Sequence, residues 1–465
     1  MAQLLDSSLE TFRADFTGET IAPGDPGYDS ARAIWNGGID KRPSLFARCA
    51  TAEQVAEAIR FARQQDLEIS VRGGAHNFAG SALTDGGLTI DLTAMRQVRV
   101  DPATRRVIAG GGATWGDVDG AAQEHGLAFT GGFISHTGIG GLTLGGGVGW
   151  LTRKAGLSID NLVGVEIVTA DSRVLHASAT ENPDLFWAVR GGGGNFGVVT
   201  SFEYAAHQVG PMVNLGVFFW GLDQGREALQ LARDYVATAP DDTGTFIAAL
   251  NAPPAPFVPE QYHFAPCYLL AVAGFGTPEE HAAAVAPIRE RLSPLIEMVT
   301  PIPYAALQAM FDESAPWGIL GYEKALYLEE LSDAAIEVIV EHVPRKQSPM
   351  SFVPIFAVGG AYSRVGDADT AFGGSRNARF FFNIAAVAPT PDLLEADRTW
   401  VRNLWEALRP FAADSGSYVN FMSEYEDDRV RAAYGPDKYD RLARIKAEYD
   451  PENVFHLNAN IKPSR

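Results

Sequence analysis

Cysteine is scarce: only Cys49 and Cys267 occur among 465 residues, far apart and in no C-x-x-C pair. A disulfide framework and a thiolate zinc site are therefore not expected, nor is any metal. Basic charge is also short, with 37 lysines and arginines against 57 aspartates and glutamates, a formal net charge of -20. A nucleic-acid binder needs a basic stripe to release counterions, and none is present. Anionic membrane surfaces are disfavoured by the same deficit. No apolar run reaches membrane-spanning length. The opening MAQLLDSSLETFRADF lacks a basic region followed by an apolar core. The expected compartment is the cytoplasm, and neither nucleic acid nor membrane is an expected partner. No internal repeat emerges.

What the chain does have is glycine. There are 48, many in short clusters, within a composition that is 46% hydrophobic and 20% charged, as in soluble globular proteins of two or three domains. The stretch VRGGAHNFAG, Val71 to Gly80, sets His76 in a loop beside Arg72, Gly73, Gly74, Ala75 and Asn77. Leu67 to Val71 reads as a strand, so the loop leaves a sheet edge abruptly. Paired glycines there suit positive φ or a close backbone approach to a ligand. Backbone N–H groups in such a turn can nest anionic oxygens, and Arg72 adds positive charge. Taken alone, the stretch equally allows an ordinary loop histidine beside two turn glycines.

The second cluster runs from Thr130 to Asn161. Gly138, Gly140, Gly141, Gly145, Gly146, Gly147 and Gly149 supply bare backbone of the kind a pyrophosphate needs. A dinucleotide fingerprint requires one strand before the glycines and one long helix after them, which this pattern lacks, so a Rossmann site is rejected. A third glycine turn follows at Gly191 to Gly194.

The element pattern is α+β. Residues 1–40 read as an irregular lead-in. Thr51 and Gln54 have capping-box spacing before an apolar stripe of Val55, Ala58, Ile59 and Ala62, which predicts a helix. Leu88 to Leu92 reads as a strand, Val98 and Val100 face Val107 and Ile108 across a hairpin, and a helix spans Trp115 to Glu124. A further hairpin starts at Asn161, with its turn at Ala170 to Arg173. Beyond Gly210 the pattern changes to longer strands (Val213 to Trp220, Thr245 to Asn251, Tyr268 to Gly274, Ser351 to Val358, Arg379 to Ala385). These alternate with helices at Gly225 to Thr238, Pro278 to Leu292, Asp333 to Val343 and Leu393 to Leu408. A charged helix from Asp437 to Tyr449 precedes Asn458 and Asn460, whose side chains are expected to hydrogen-bond back to the first domain.

Three features now coincide in order: R-G-G-A-H-N around His76; G-I-G-G-x-x-L-G-G-G-x-G followed by GLSIDN; and the pairs Tyr418-x-Asn420 and Asn458-x-Asn460. Together they resemble the FAD-linked oxidases of the berberine bridge enzyme-like group, in the vanillyl-alcohol oxidase superfamily, from about Lys41 to Pro463. The chain is similar to the singly linked members of 6-hydroxy-D-nicotine oxidase type. The resemblance implies a PCMH-type FAD-binding domain over residues 1–209 and a substrate domain over 210–413 with an antiparallel sheet flanked by helices. A C-terminal segment, 414–465, would return to the first domain. It implies FAD bonded through its 8α-methyl group to His76. Arg72, Gly73, Gly74, Ala75, Asn77, Gly80, Gly132, His136, Thr137 and the run Gly138, Gly140, Gly141, Leu144, Gly145, Gly146, Gly147, Gly149 fall on cofactor positions, with Trp150, Gly156, Tyr418, Asn458 and Asn460. Asp160, Asn161, Gly194, Asn195, Gly197 and Val199 fall on the adenosine side or its support. Where many members carry a second, cysteinyl link, this chain has Ile134, so only one link is expected. Thr137 stands at the position that gates oxygen, and its small size leaves oxygen access.

Oxidation of an alcohol or amine by flavin also releases an O–H or N–H proton, so a base within reach lowers the barrier. The family motif Y-x-N-Y reads here Tyr418, Asn420 and Phe421. Tyr418 is the candidate base or a residue that only positions substrate; as a base it needs help, since a free tyrosine titrates at about 10. The resemblance places the strand Ser351 to Tyr362 facing the flavin; its apolar residues carry no carboxylate and suggest a lipophilic substrate. Trp317, Tyr322, Phe381 and Phe382 are candidates for the pocket wall, with core the better reading for each. The expected activity is an oxidase acting on a C–H beside O or N of a small, secondary-metabolite-like molecule, with O2 as acceptor and H2O2 as product, in a monomer or homodimer. The alternative, motivated by the pair His136-Thr137, is an oxygenase that carries oxygen at flavin N5 to a polyketide-like substrate. A flavin-binding protein without catalysis is a third reading.

Overall fold

The computed structural model describes residues 2–413 and 416–465. The expected boundary at 414 falls on residues 414–415, outside that set. Strands Glu19–Ile21, Leu45–Arg48, Leu88–Asp91 and Ile69–Arg72 lie side by side in that order, the last three parallel. Helix Ala52–Gln64 makes the crossover. Thr51 Oγ1 accepts the Gln54 N–H at 3.3 Å, while the Gln54 side chain accepts from the Ala50 N–H at 2.7 Å. Its stripe of Val55, Ala58, Ile59 and Ala62 is fully buried, and each such Val or Ile contributes roughly 1.5–3 kcal/mol. The lead-in is not irregular. It forms helix Ala2–Asp15, strand Glu19–Ile21 and helix Tyr28–Arg32. Phe12 stacks on Phe61 with centroids 4.2 Å apart, so long-range packing holds what local pattern left unspecified.

A five-stranded antiparallel sheet follows, in the order Val98–Asp101, Arg106–Gly110, Val198–Ala205, Leu162–Val168, Val174–Ser178. Both expected hairpins are in it, though Val98 faces Ala109 and it is Arg99 that faces Ile108. Helix Trp115–Gln123 starts at a capping box formed by Thr114 and Asp117.

The third sheet has seven antiparallel strands: Ile296–Pro303, Met212–Gly221, Pro266–Gly274, Thr243–Asn251, Val353–Ala357, Phe380–Ala388 and Leu320–Leu328. The two outer strands were not expected from sequence. Ile296–Pro303 carries Pro301 and Pro303, tolerated because it is an edge, and Leu320–Leu328 interrupts its apolar run with Glu323 and Lys324. Strand alternation sends Phe218, Trp220, Ile247 and Leu270 toward helices Gly225–Thr238, Asp333–His342 and Pro391–Leu408. Val217, Phe219, Phe246 and Leu269 face the opposite way, into a core shared with Trp150, Leu151 and Leu157 of the first half. That second face roofs the cavity described below. Helices Asp427–Tyr434 and Pro436–Tyr449 return the chain to the five-stranded sheet. Among the described residues no helix is long and apolar enough to cross a membrane.

Candidate functional site

A cavity of about 930 Å³ lies between the glycine loops of the first half and the free face of the seven-stranded sheet. Its floor begins where strand Ile69–Arg72 ends. Gly73, Gly74, Ala75, His76 and Asn77 all line it, and Ala75 takes φ 54° to turn the loop. Gly138 runs against Gly74 so closely that a Cβ on Gly74 would lie 2.1 Å from the Gly138 nitrogen. Gly132, Thr137, Gly140, Gly141 and Leu144 continue the floor, and a Cβ on Gly141 would meet nothing within 4 Å. Gly194, Asn195, Gly197, Val199 and Asn458 line the far end.

His76 is gripped on several sides. Its Nε2 lies 2.7 Å from His136 Nδ1, Thr137 Oγ1 is 3.4 Å from its Nδ1, and Trp35 stacks on it at 5.5 Å. Burial first, then the neighbouring His136, lower its pKa to about 3. The ring is therefore neutral at physiological pH, with a lone pair on one of its two nitrogens. His136 does not line the cavity, but it is no solvated bystander, since it completes the setting of His76.

The second glycine run divides into two jobs. Gly138, Gly140 and Gly141 face the cavity. Gly145, Gly146, Gly147 and Gly149 do not; they seat other parts of the chain. A Cβ on Gly145 would lie 2.1 Å from Asn420 Oδ1, and the Gly147 N–H donates to Tyr418 Oη at 2.7 Å. Tyr418 also accepts from Asn420 Nδ2 at 3.0 Å, and Asn420 Nδ2 donates on to the Leu142 carbonyl. Both side chains line the cavity. Burial pushes the Tyr418 phenol up to about 12 against those two hydrogen bonds.

Several expected cofactor residues sit elsewhere. The Arg72 guanidinium turns away and donates to the carbonyls of Ala31 and Ala33, so it adds no charge to the loop. Asp160 is held bidentately by Arg376 at 2.8 Å, both side chains 5% exposed. Asn161 donates to Ala155 and Leu157 and accepts from His207. Gly80, Trp150 and Gly156 pack against neighbouring chain outside the cavity; a Cβ on Gly156 would meet Asp160. The closing segment returns to the first half through the backbones of Ala459 and Ile461 to Asn195, through His456 to Glu68 and through Glu452 to Arg63, not through the side chains of Asn458 and Asn460. The Oδ1 atoms of both asparagines are instead buried without a partner, an unsatisfied acceptor pair that needs a donor.

Of the four candidates for the pocket wall, three take the core position favoured for them and Trp317 does not. Trp317 is 46% exposed, edge-on to His76 at 5.8 Å, while Tyr322, Phe381 and Phe382 are core. The cavity is lined by Phe133, Phe246, Phe311, Phe356 and Phe421. Phe133 stacks on Phe356 at 5.1 Å and meets Phe246 at 5.3 Å. Glu323 and Asn383, on neighbouring edge-side strands of the roof, were overlooked. The alternation Glu323, Ala325, Tyr327 was the signal that could have found the first. Cys49 and Cys267 are buried and, among the described residues, no cysteine lines the cavity, whereas Ile134 does.

The family model described as FAD binding domain matches residues 43–178, and the one described as berberine and berberine like matches residues 417–462. (R)-6-hydroxynicotine oxidase of Paenarthrobacter nicotinovorans is 34% identical over 459 residues, 96% of this chain and 97% of that protein. An FAD-linked oxidoreductase of Dictyostelium discoideum is 29% identical over 430 residues, 92% of this chain and 91% of its own length. The crystal structure of 6-hydroxy-D-nicotine oxidase from Arthrobacter nicotinovorans superposes with a TM-score of 0.86 at 30% identity, over 97% of this chain and 99% of that one. Berberine bridge enzyme-like 1 of Physcomitrella patens shares the fold at a TM-score of 0.88 and 22% identity, over 98% and 99% of the two chains.

Proposed function

This chain belongs to the berberine bridge enzyme-like FAD-linked oxidoreductases, and from that premise we propose that it is an oxidase. It takes a hydride from a C–H next to oxygen or nitrogen of a lipophilic small molecule and passes the electrons to O2 to give H2O2. One observation carries this reading: a single cavity joins the glycine floor and His76 to a phenylalanine-walled chamber under the sheet.

The residues present fit FAD. Bare backbone at Gly73, Gly74, Gly138, Gly140 and Gly141 admits a close anionic ligand. The unpartnered Asn458 Oδ1 offers an acceptor at the far end. FAD, when bound, supplies the hydride acceptor. Neutral His76 has the lone pair for one covalent link, and with Ile134 on the wall in place of a cysteine the link is single. Tyr418, whose oxygen already accepts two hydrogen bonds and holds its proton, directs that O–H as a donor and positions substrate. Thr137 lines the wall beside His76, and its small side chain favours oxygen access there. The phenylalanines favour an aromatic or otherwise apolar substrate body over a sugar. The oxygenase alternative rests on the pair His136-Thr137, of which Thr137 lines the cavity while His136 engages His76 and lies off its wall.

The test begins with acid precipitation of the purified protein and peptide mass spectrometry. Yellow colour stays in the pellet, FAD maps to the peptide containing His76, and His76→Ala releases the colour to the supernatant. Anaerobic flavin reduction is then screened with lipophilic primary and secondary alcohols and amines, followed by oxygen. Peroxide should form one-for-one with product, with no oxygen atom gained. Flavin attached elsewhere would overturn the His76 link; product carrying an oxygen atom from O2 would favour the oxygenase.

A further inference from the structure

We propose that Glu323 takes the substrate's proton in this oxidation and that Asn383 positions its carboxylate; the inference rests on the oxidase reading above. The roof of the cavity is apolar over most of its area, with Val217, Phe219, Phe246, Leu269, Ala271 and Phe356 facing the floor. Glu323 and Asn383 interrupt it. Glu323 is 1% exposed and Asn383 6%. They stand on paired strands, Asn383 opposite Ala325 and Glu323 two residues along on the same face. Asn383 Nδ2 donates to Glu323 Oε2 at 2.7 Å, while Glu323 Oε1 and Asn383 Oδ1 have no partner. Asn383 Oδ1, and Glu323 Oε1 once the carboxyl is ionised, are adjacent unpartnered acceptors on a cavity wall and call for a ligand that donates, through O–H or N–H.

Their place along the cavity fits. Gly321, on the same face as Glu323, lies so near Phe78 that a Cβ there would come within 2.7 Å of its ring and 3.5 Å of Trp35. Trp35 in turn stacks on His76. The carboxylate therefore hangs over the His76 end of the floor. Tyr418 is poorly suited to the same task, because its oxygen already accepts from Gly147 and Asn420 and its proton is tightly held. Burial pushes Glu323 up to about 8, against the lowering hydrogen bond from Asn383. The titratable group facing it is Tyr425, itself raised by burial and donated to by Asn77 at 2.8 Å. Ser423 Oγ accepts the Glu323 N–H, and Lys324 points to the other face, over Trp405.

In the step proposed, the substrate carbon gives its hydride to oxidised FAD and the O–H or N–H bond breaks. Its electron pair closes the C=O or C=N double bond, and the proton passes to Glu323 Oε1. FAD, if bound, would supply the two-electron acceptor for that hydride, and O2 would be the final oxidant. The substrate is accordingly a neutral alcohol or amine on an apolar body, donating one hydrogen bond to Glu323 and, where it carries a second donor, one to Asn383 Oδ1.

Glu323→Gln keeps shape and removes the base. With the donor that reduces flavin fastest in the screen above, wild-type reduction should rise with pH and level off above about 8. Glu323→Gln should lose roughly 100-fold or more and lose that rise. Asn383→Ala should move the rise to higher pH with a smaller loss, because it deletes the bond that lowers the Glu323 pKa. Infrared difference spectra of the resting holoenzyme give a second readout. A protonated carboxyl band should vanish as pH passes about 8 in wild type and be missing in Glu323→Gln, whose acid-stable colour confirms its fold. Glu323→Gln that reduces flavin at the wild-type rate with the same pH rise would overturn the role of Glu323 and leave the oxidase reading intact. Wild-type flavin reduced by no donor in the screen would overturn both.

Discussion

At Gly74 and Gly138 two backbones touch where no side chain fits, and the loop carrying His76 depends on that contact. A Cβ on Gly74 would meet backbone, which cannot swing aside as a side chain tip can. Gly74→Ala should therefore push the two loops apart, at a cost on the order of 1–3 kcal/mol. Flavin content, read as the ratio of flavin to protein absorbance, should fall well below wild type; an unchanged ratio with full acid-stable colour would remove the glycine contact from the account. Residues of this kind were legible in the sequence because a glycine motif states what the backbone must do. The direction of a long side chain is a different matter. Arg72 belongs to the same motif, yet its acceptors are the carbonyls of Ala31 and Ala33, some forty residues upstream. Asp160 belongs to the GLSIDN signature, yet its partner is Arg376, more than two hundred residues downstream. Glu323 was easy to pass over for a third reason: an acid beside Lys324 looks like a solvated pair unless the strand alternation is followed, which sends the two to opposite faces.

Among the elements, helix Trp115–Gln123 shows how a local signal reaches the site. Its capping box joins Thr114 Oγ1 to the Asp117 N–H and the Asp117 carboxylate to the Thr114 N–H at 2.8 Å. The first helical N–H groups, with no partner inside the helix, reach across the chain: Trp115 donates to the Thr137 carbonyl at 3.0 Å and Gly116 to Ser135 at 2.7 Å. The cap thus anchors the segment that places His136 and Thr137 beside His76. Thr114→Ala should cost about 1 kcal/mol of stability and slow or reduce the flavin attachment at His76 proposed above, while Thr114→Ser retains both. Urea midpoints together with acid-stable absorbance check this, and a stability loss without any change in flavin attachment would confine the cap to folding. Helices such as this, with capping residues and an apolar stripe, were readable in advance. The outer strands of the seven-stranded sheet were not, because edge strands accept prolines and charges that erase the two-residue period. One of those strands carries Glu323, so the part of the sheet hardest to read holds the carboxyl group of most interest.

On the scale of the whole molecule, two buried acids make stability depend on pH in a definable direction. Glu323 lies in the roof of the cavity and Asp119 lies between the halves, accepting from Gln308 at 3.1 Å. Burial raises Asp119 from 3.8 to about 7 and Glu323 from 4.5 to about 8. In each case the folded chain binds the proton more tightly than the unfolded chain does. Their contribution is fully present below the unfolded values and is lost as pH rises through about 7 and then about 8. Carboxylates held low by partners, such as Asp117 beside Arg96 and Thr114, act in the opposite sense and lose their contribution as pH falls. The holoenzyme should therefore be most stable in slightly acidic solution, with Tm falling from about pH 6 to 9. Asp119→Asn and Glu323→Gln remove the buried ionisation and should each flatten that alkaline decline, raising Tm at pH 9 by on the order of 2 °C. Thermal melts of the three proteins across the range decide it. A Glu323→Gln curve that runs parallel to wild type from pH 7 to 9 would mean that Glu323 does not change its protonation there, and would remove the physical ground for a carboxyl group poised to exchange a proton over the site.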